Sequence, residues 1–453
     1  MLMAAVGIGR PLLRRLVDDP VESTGDDWYW AITLGLLVLG AGMGLLCLVG
    51  LGQVLLVGVF TWLASLWGLG EIVCGASTPS PARHNQRSAS WDGRRPRAGA
   101  AQVSSLFVPI AAASNPTAQT VPRRTRAGTA LNLAAAGLAA VTLVSLVAGV
   151  QATPACPAID TAQTLLLPVE IIGARRPPNV NTSLAICSLL LHGPVAARIV
   201  QWGWGLWLAG AVSILARRSI GRGAASVAAL GLLLCPGVVQ SLATGSDCLA
   251  PAALAIMSLA ATLRAMEPHL AASGSARLTC RRGWACIAGA ALGGLLGIEP
   301  GFGLRWAAVL ASVGAWSVRR ERVRLERWID FGLAVAPAAL CIGGPACFGQ
   351  MAGATPLGSS DPIINTAPLD GPAAVDLQAL GPLLVIVAPW PLVMPVGRRF
   401  VPVVLALSSY VLVLLATGSW SGWWPTSAAL LALVLGKLCA DLSQVLEQLH
   451  RSA

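Results

Sequence analysis

Twelve apolar runs, most of them long enough to cross a lipid bilayer, constrain this chain more than any other feature. A transmembrane helix needs about 20 mostly apolar residues, and it satisfies all its backbone hydrogen bonds internally. Only 11% of the residues are charged, whereas soluble domains carry about 25%. We therefore expect an all-α polytopic membrane protein with about twelve transmembrane helices. The runs are 28–49, 52–73, 128–149, 197–216, 223–243, 248–266, 284–298, 303–318, 330–349, 377–396, 400–417 and 425–444.

Arginine clusters between these runs determine the predicted topology. The net charge of +11 comes almost entirely from arginine. If the amino terminus is inside and every run crosses once, all the clusters fall on one side, as the positive-inside rule requires. We therefore expect a protein of the cell (inner) membrane with both termini cytoplasmic, and no nucleic-acid partner. The clusters lie within 74–127, 217–222, 277–282, 319–327 and 398–399.

The chain divides unevenly into three regions. Residues 1–73 comprise a charged tail without a long apolar run, followed by a two-helix membrane hairpin. Residues 74–127 are rich in Ser, Pro, Arg and Ala, a composition typical of a disordered cytoplasmic linker. Residues 128–453 form the multi-helix membrane domain. No internal repeat of fixed period is visible, which weakens the case for an inverted-repeat transporter.

Two runs depart from simple crossing. Runs 284–298 and 303–318 are short and meet at Glu299-Pro300-Gly301, which predicts a tight hairpin or a pair that does not fully span.

The long outer loop 150–196 contains an apolar stretch, Thr182–Leu191, that we expect to form a helix lying at the membrane interface. Within it, Asn181-Thr182-Ser183 matches a glycosylation sequon, which is a weak signal. A tryptophan cluster at the outer end of the next run is typical of an interfacial aromatic belt. Its members are Trp202, Trp204 and Trp207.

Asp160 is the first candidate for chemistry. It lies about ten residues after the run 128–149, at the start of the largest outer loop. A carboxylate held at the lipid edge is placed to act as a general base on an acceptor hydroxyl. The alternative is a solvated loop aspartate.

Two arginine-containing features are candidates for binding an anion. Glu299 and Arg305 are the only charges in 284–318, and ionisable groups at membrane depth tend to be functional. Arg305 offers a planar donor fork that suits a phosphate. The alternative is that the two residues pair with each other or reach the interface. Arg175 and Arg176 lie on the predicted outer side, where they either face an anionic headgroup or phosphate or form a solvated pair.

The order of features in 128–320 resembles the GT-C membrane glycosyltransferases that use polyprenyl-phosphate sugars, the group of the protein mannosyltransferases and aminoarabinose transferases. The resemblance begins with "IDTAQTLLLPVEIIGARR" after the first core helix, followed by the apolar "NVNTSLAICSLLLHGPVAARIV". A helix, an Arg-Arg/Gly-Arg turn and a proline-ended helix follow. The paired helices of "GWACIAGAALGGLLGIEPGFGLRWAAVLASVGAWSVRR" complete it.

This resemblance implies an inverting transferase that moves a sugar from a polyprenyl-phosphate donor to a lipid or protein on the outer face. Asp160 matches the first-loop catalytic aspartate, and Asp247 matches an acidic outer turn. Arg305, with Arg175 or Arg176, falls where the carrier phosphate binds. Further polar site candidates are Gln163, Asp247 and Glu299. The resemblance implies no cofactor beyond the lipid-linked donor, and the sequence specifies no metal.

The sequence also departs from this family. A Tyr-His pair often follows the first aspartate, whereas this chain has Gln163, Thr164 and Leu165. The whole chain has two tyrosines and four histidines, which leaves little for sugar recognition. Three alternatives therefore stay open: a relative that has lost activity, a transporter or flippase for a hydrophobic substrate, and a membrane scaffold that uses 74–127 as its contact segment.

Overall fold

Helices account for the architecture, as a lipid solvent demands. The structure is a computed structural model. It describes residues 1–17, 24–48, 54–77, 179–244, 248–266, 274–321, 325–352, 379–381, 384–393, 399–417 and 424–452, which form helices and turns and no strand. The helices are α1 (Leu2–Leu16), α2 (Thr24–Leu48), α3 (Val54–Ser77), α4 (Val180–His192), α5 (Pro194–Ser219), α6 (Arg222–Leu233), α7 (Pro236–Thr244), α8 (Leu249–Ala265), α9 (Gly274–Ile298), α10 (Pro300–Glu321), α11 (Leu325–Ala352), α12 (Trp390–Val393), α13 (Val401–Thr417) and α14 (Trp424–Ser452).

Four of the described helices are long and apolar enough to cross a membrane, and the number is five if one bent pair of helices counts as a single span. The helical membrane class is thus confirmed, whereas twelve crossings stay a prediction. Run 128–149 and nearly all of the linker 74–127 lie outside the described residues. The four spans are Asp26–Leu46, Val195–Ser219, Ile329–Cys347 and Trp424–Leu446.

The predicted single crossing 223–243 is broken in two. α6 and α7 meet at an angle of 66°. Proline has no N–H to donate and clashes with the preceding turn, so Pro236 starts a new helix instead of continuing the old one. The thiol of Cys235, in the break, donates to the Ala379 carbonyl oxygen at 2.9 Å. An apolar run on its own does not show where proline will bend it.

The paired runs around Glu299 form longer helices than expected. α9 has 25 residues and α10 has 22. At 1.5 Å per residue, α9 rises about 37 Å, enough to span. The expectation of short helices was wrong because polar and basic residues at both outer ends continue the helices beyond the apolar runs. The tight turn was correct, since only Glu299 separates the two helices.

Helix α1 lies within the segment that the sequence indicated as a tail. Its small residues allow the backbone of α1 to pack directly against the backbone of α2. A Cβ built on Gly9 would stand 1.7 Å from the Ala31 carbonyl oxygen, and one on Gly35 would stand 1.8 Å from the Ala5 oxygen. Close approach through small residues is a common way for helices to associate in lipid. The segment was missed because its buried face is built from Ala and Gly and not from a long apolar run.

Helix α4 has the predicted position in the chain but not the predicted surroundings. Ser183, Leu184 and Cys187 on this helix are all buried. It packs against α5 and α2. The expectation of a helix lying at the membrane interface was therefore wrong. Gly193, with a φ of +79°, makes the turn into α5.

Several helix ends meet at one end of the bundle, which we call the arginine end after Arg14, Arg217, Arg281 and Arg282. Arg217 Nη1, at the end of α5, donates to Asp26 Oδ1, at the start of α2, at 2.9 Å. Arg14 Nη1, at the end of α1, lies 3.1 Å from Glu71 Oε2, near the end of α3.

The same end includes α8, α9 and α11. Arg282 Nη2 lies 3.6 Å from Asp330 Oδ1 near the start of α11. Arg281 Nε donates to the carbonyl oxygen of Ala265, at the end of α8, at 2.9 Å. Residues of the clusters 217–222 and 277–282 therefore both lie at this end of the bundle. That this end faces the cytoplasm stays a prediction.

Candidate functional site

Five of the sequence-predicted site residues lie outside the described residues: Asp160, Gln163, Arg175, Arg176 and Asp247. Their roles stay predictions. Glu299 and Arg305 are described, and they lie where α9 turns into α10. This turn is at the end of α9 opposite to the arginine end.

Glu299 and Arg305 pair with each other, the alternative that the sequence left open. Arg305 Nη2 lies 3.7 Å from Glu299 Oε1, which makes a loose ion pair. Arg305 Nε donates to the Gly301 carbonyl oxygen at 3.1 Å. The Arg305 side chain is 13% exposed and that of Glu299 is 41% exposed. The guanidinium is thus held close to the first turn of α10, with the carboxylate on its more open side.

The local sequence explains this placement. Pro300 occupies the first position of α10, where a missing N–H costs nothing. Glu299 N donates to Leu295 O at 2.9 Å, and Gly303 N donates to Glu299 O at 2.9 Å, so Glu299 belongs to both helix ends. Burial raises the pKa of the Glu299 carboxyl, and the Arg305 guanidinium opposes that shift.

Three buried aromatic rings lie beside this pair on α10 and α13. The Trp306 and Tyr410 centroids are 5.5 Å apart, and the Phe302 and Tyr410 centroids are 6.1 Å apart, both in edge-to-face arrangements. Trp306 Nε1 donates to Ser258 Oγ, on α8, at 2.8 Å. These contacts lock α10 against α13 and α8. Other side chains of the bundle cover the faces of these rings. The rings therefore stabilise the region around Arg305 and do not offer a surface on which a sugar could stack.

A second polar cluster, which the sequence analysis missed, joins α4 to α5. Asn181 Oδ1 accepts from Trp204 Nε1 at 2.7 Å and from Gln201 Nε2 at 3.2 Å. All three residues are under 6% exposed. In the described part of the chain, Gln201 Oε1 has no hydrogen-bond partner. We call Asn181, Gln201 and Trp204 the amide cluster.

The amide cluster overturns two expectations. Asn181 is 3% exposed, so the sequon match does not mark a glycosylation site. Trp202 and Trp204 are buried, and Trp202 Nε1 donates to the Leu242 oxygen at 2.9 Å. These indoles therefore belong to the protein interior and not to an interfacial belt. The only sequence signal was the clustering of amide and indole side chains at 179–204.

Both polar groups lie away from the arginine end. Trp204 is 13 positions before Arg217 on α5, which corresponds to about 20 Å along the helix. Within the described ranges, no group of three or more His, Cys, Asp or Glu side chains could hold a metal ion. Together, the Glu299–Arg305 pair and the amide cluster offer one guanidinium, one carboxyl of raised pKa and a neutral amide.

The fold and these groups define a helical membrane protein with isolated polar positions inside an apolar bundle. No family model matches the chain, and no curated protein matches it. Among solved structures, it is similar to ArnT from Cupriavidus metallidurans in the apo state, with 18% sequence identity and a TM-score of 0.40. The match covers 56% of this chain and 48% of that one, so the chain spans about half the length of the matched protein. A likeness this low does not assign a shared fold.

Proposed function

We propose that this protein is a GT-C-like membrane glycosyltransferase that moves a sugar from a polyprenyl-phosphate donor to a lipid or protein on the outer face. The supporting observation is Arg305, held by Gly301 and loosely paired with Glu299 at the end opposite to the arginine end. The sequence places Asp160 on the same face. Twelve crossings and cytoplasmic termini belong to this proposal.

The proposed reaction is a direct displacement. Asp160 takes the proton of the acceptor hydroxyl, whose oxygen attacks the anomeric carbon of the sugar. The bond from that carbon to the phosphate oxygen breaks, and the polyprenyl phosphate leaves with the electron pair. Attack from the opposite side inverts the anomeric centre.

Arg305, with Arg175 or Arg176, stabilises the negative charge that develops on the phosphate. At 3.7 Å, the carboxylate of Glu299 is a weak competitor for the guanidinium, because a phosphate can bind the donor fork in a bidentate way. The role of Glu299 in this proposal is to hold Arg305 in place while the donor is absent.

The deciding experiment is Asp160→Asn, assayed in membranes for sugar transfer from a polyprenyl-phosphate donor. We expect the rate to fall by about 100-fold or more, because general-base catalysis contributes that much. Asp370→Asn is the matched control, since Asp370 lies between runs 330–349 and 377–396, in a loop that the predicted topology also puts on the outer side. An Asp160→Asn variant that transfers sugar at the wild-type rate would show that Asp160 is not the base. If the wild-type protein transfers no sugar, the result would favour the alternative that this chain is a relative that has lost activity.

The substitution Arg305→Lys tests whether Arg305 binds the donor phosphate through its planar guanidinium or only through its positive charge. Lysine keeps the charge and loses the planar geometry, so we expect the donor KM to rise while the acceptor KM stays unchanged.

One observation favours a transporter or flippase as a second candidate. Broken helices are typical of transporter binding sites, and α6 and α7 form such a break at 66°. Transporters of that kind use broken helices in both halves, whereas the described residues contain one bent pair. Movement of a lipid-linked sugar across proteoliposomes without transfer to an acceptor would support this alternative.

A further inference from the structure

The arginine end contains a basic surface that the proposed reaction does not use. The last turn of α1 and the first part of α9 touch through their backbones. A Cβ built on Gly283 would stand 1.7 Å from the Leu16 carbonyl oxygen. Arg15 and Arg282 each adjoin this contact in sequence, so their Cα atoms lie within about 13 Å of each other. Two helices that are distant in the chain thus bring their basic ends together.

Among the described residues of this surface, positive charge exceeds the negative charge that faces it. Arg10 and Arg14 share one carboxylate, Glu71, at 4.0 and 3.1 Å. Asp330 faces Arg282 at 3.6 Å. Arg15 is exposed and makes no ion pair within the described part of the chain. Asp27 also acts electrostatically on Arg10. In the described part of the chain, four guanidiniums therefore face three carboxylates.

The charged groups are open to an approaching ligand. The side chains of Arg14 and Arg282 are 57% and 60% exposed. Neither existing ion pair is worth much at this exposure, because solvent screens it. A phosphate can therefore bind these arginines without breaking a strong interaction.

Apolar side chains border the same surface. Ile329 and Leu333 flank Asp330 on α11 and are 55% and 67% exposed. On a membrane helix such residues face the acyl chains. A basic rim directly beside a lipid-facing apolar strip matches the two ends of a phospholipid, a charged headgroup and its hydrocarbon tails.

We propose that Arg14, Arg15 and Arg282 form a binding site for the headgroup of an anionic phospholipid. The headgroup phosphate bridges the end of α1 and the start of α9, and the acyl chains lie along Ile329 and Leu333. The lipid holds α1 against the bundle. Basic pockets between membrane helices commonly bind anionic headgroups, at about 1 kcal/mol for each arginine near the surface.

The test uses the full chain, purified in detergent and titrated with phosphatidylglycerol or phosphatidylcholine. Bound lipid is counted by native mass spectrometry, and thermal stability is followed in parallel. We expect phosphatidylglycerol to bind and to raise the Tm, whereas phosphatidylcholine does neither. The double variant Arg15→Gln/Arg282→Gln should bind phosphatidylglycerol about 30-fold more weakly.

Two controls make the result specific. Arg222→Gln/Arg399→Gln removes two exposed arginines of α6 and of the turn before α13, and it should leave the affinity unchanged. Arg15→Lys/Arg282→Lys keeps the charge and should retain most of the binding. If both glutamine double variants bind phosphatidylglycerol equally weakly, the lipid is held by nonspecific electrostatic attraction to arginine. That result would overturn the proposal.

A titration with inorganic phosphate distinguishes a site for a whole lipid from a site for any anion. We expect phosphate at matched concentration to leave the Tm unchanged, because it brings no acyl chains to the apolar strip. The same Tm shift with inorganic phosphate would overturn the lipid assignment. Unaltered phosphatidylglycerol binding by Arg15→Gln/Arg282→Gln would overturn the site itself.

Discussion

At the scale of single residues, several polar side chains inside the apolar bundle form hydrogen bonds to other helices. Trp207 Nε1 donates to Thr33 Oγ1 at 2.8 Å, and Tyr29 OH donates to the Trp207 carbonyl oxygen at 3.0 Å. A buried donor left without a partner costs about 1 to 3 kcal/mol. These pairs therefore specify which helix faces which, and their loss should be measurable.

Asn181→Ala should strongly destabilise the protein. It removes the acceptor of both Gln201 Nε2 and Trp204 Nε1 and leaves two buried donors unsatisfied. We expect the free energy of unfolding in mixed micelles to fall by at least about 2 kcal/mol. His192→Ala, an exposed position at the end of the same helix, should have little effect. Equal effects of the two substitutions would show that the amide cluster is not a stabilising contact.

Glu299→Gln should change how stability depends on pH. Burial raises the pKa of the Glu299 carboxyl above its ordinary value of 4.5, so the folded state holds this proton more tightly than the unfolded state. The resulting stabilisation is complete below the ordinary pKa and is lost as pH rises through the raised value. Glutamine stays neutral, so the variant should gain stability relative to wild type as pH rises above about 4.5 and through the raised pKa of Glu299. A variant that loses stability relative to wild type over this range would show that the Arg305 ion pair outweighs burial.

At the scale of whole elements, α9 and α11 pack with their backbones in contact. A Cβ built on Gly343 would stand 1.8 Å from the Gly293 carbonyl oxygen, and one on Gly289 would stand 2.3 Å from the Val335 oxygen. In lipid the hydrophobic effect does not drive helices together, so close van der Waals contact through small residues does much of the work. Glycine is required here by space and not by backbone conformation.

Gly343→Ala should separate these two helices. Its methyl group would overlap a main-chain oxygen that cannot move aside, and overpacking of this kind costs about 1 to 3 kcal/mol. Gly332→Ala on the same helix is the matched control, because nothing lies within 4 Å of its Cβ position. Thermal unfolding in detergent should show a lower Tm for Gly343→Ala and an unchanged or higher Tm for Gly332→Ala. A similar Tm for both variants would contradict the close contact.

At the scale of the whole molecule, the bundle has two different ends. The arginine end gathers ion pairs such as Asp26–Arg217 and Arg282–Asp330. The turn at Glu299 lies at the other end of α9. Because lysine and arginine favour the cytoplasmic side, the arginine end should face inward.

Cysteine accessibility tests this orientation. On a cysteine-free background, Arg222→Cys and Gly301→Cys mark the two ends at exposed positions. A membrane-impermeant maleimide applied to intact cells should label Gly301→Cys and spare Arg222→Cys, and inverted vesicles should give the reverse. Labelling of both cysteines from one side would contradict a bundle that spans the membrane between them.

The sequence predicted helix positions well where apolar runs are uninterrupted. Run 400–417 corresponds to the helix Val401–Thr417, and run 248–266 corresponds to the helix Leu249–Ala265. Prediction was poorer where the signal was not an apolar run. Helix α1 buries Ala and Gly, α9 extends into arginine-containing sequence, and Pro236 bends a run that has no polar break.

The candidate site was predictable only in part. Glu299 and Arg305 stood out as the sole charges in a long apolar stretch, but the sequence left open whether they pair with each other. The amide cluster was missed because asparagine, glutamine and tryptophan at the end of a run are equally consistent with a hydrated membrane interface. Their burial depends on α4 lying against α5, which one-dimensional patterns do not specify.

Two properties follow from the amino-acid sequence alone: the apolar runs require helices in lipid, and the arginine clusters predict that one end of those helices is basic. Both follow from transfer free energies that each segment has on its own. The folded bundle shows in addition which backbones touch, that α1 joins the bundle, that Glu299 pairs with Arg305, and that the arginines at the end of α1 lie near those of α9. These features depend on contacts between segments that are distant in the chain, and helix association in lipid is determined by shape and hydrogen bonding and not by hydropathy.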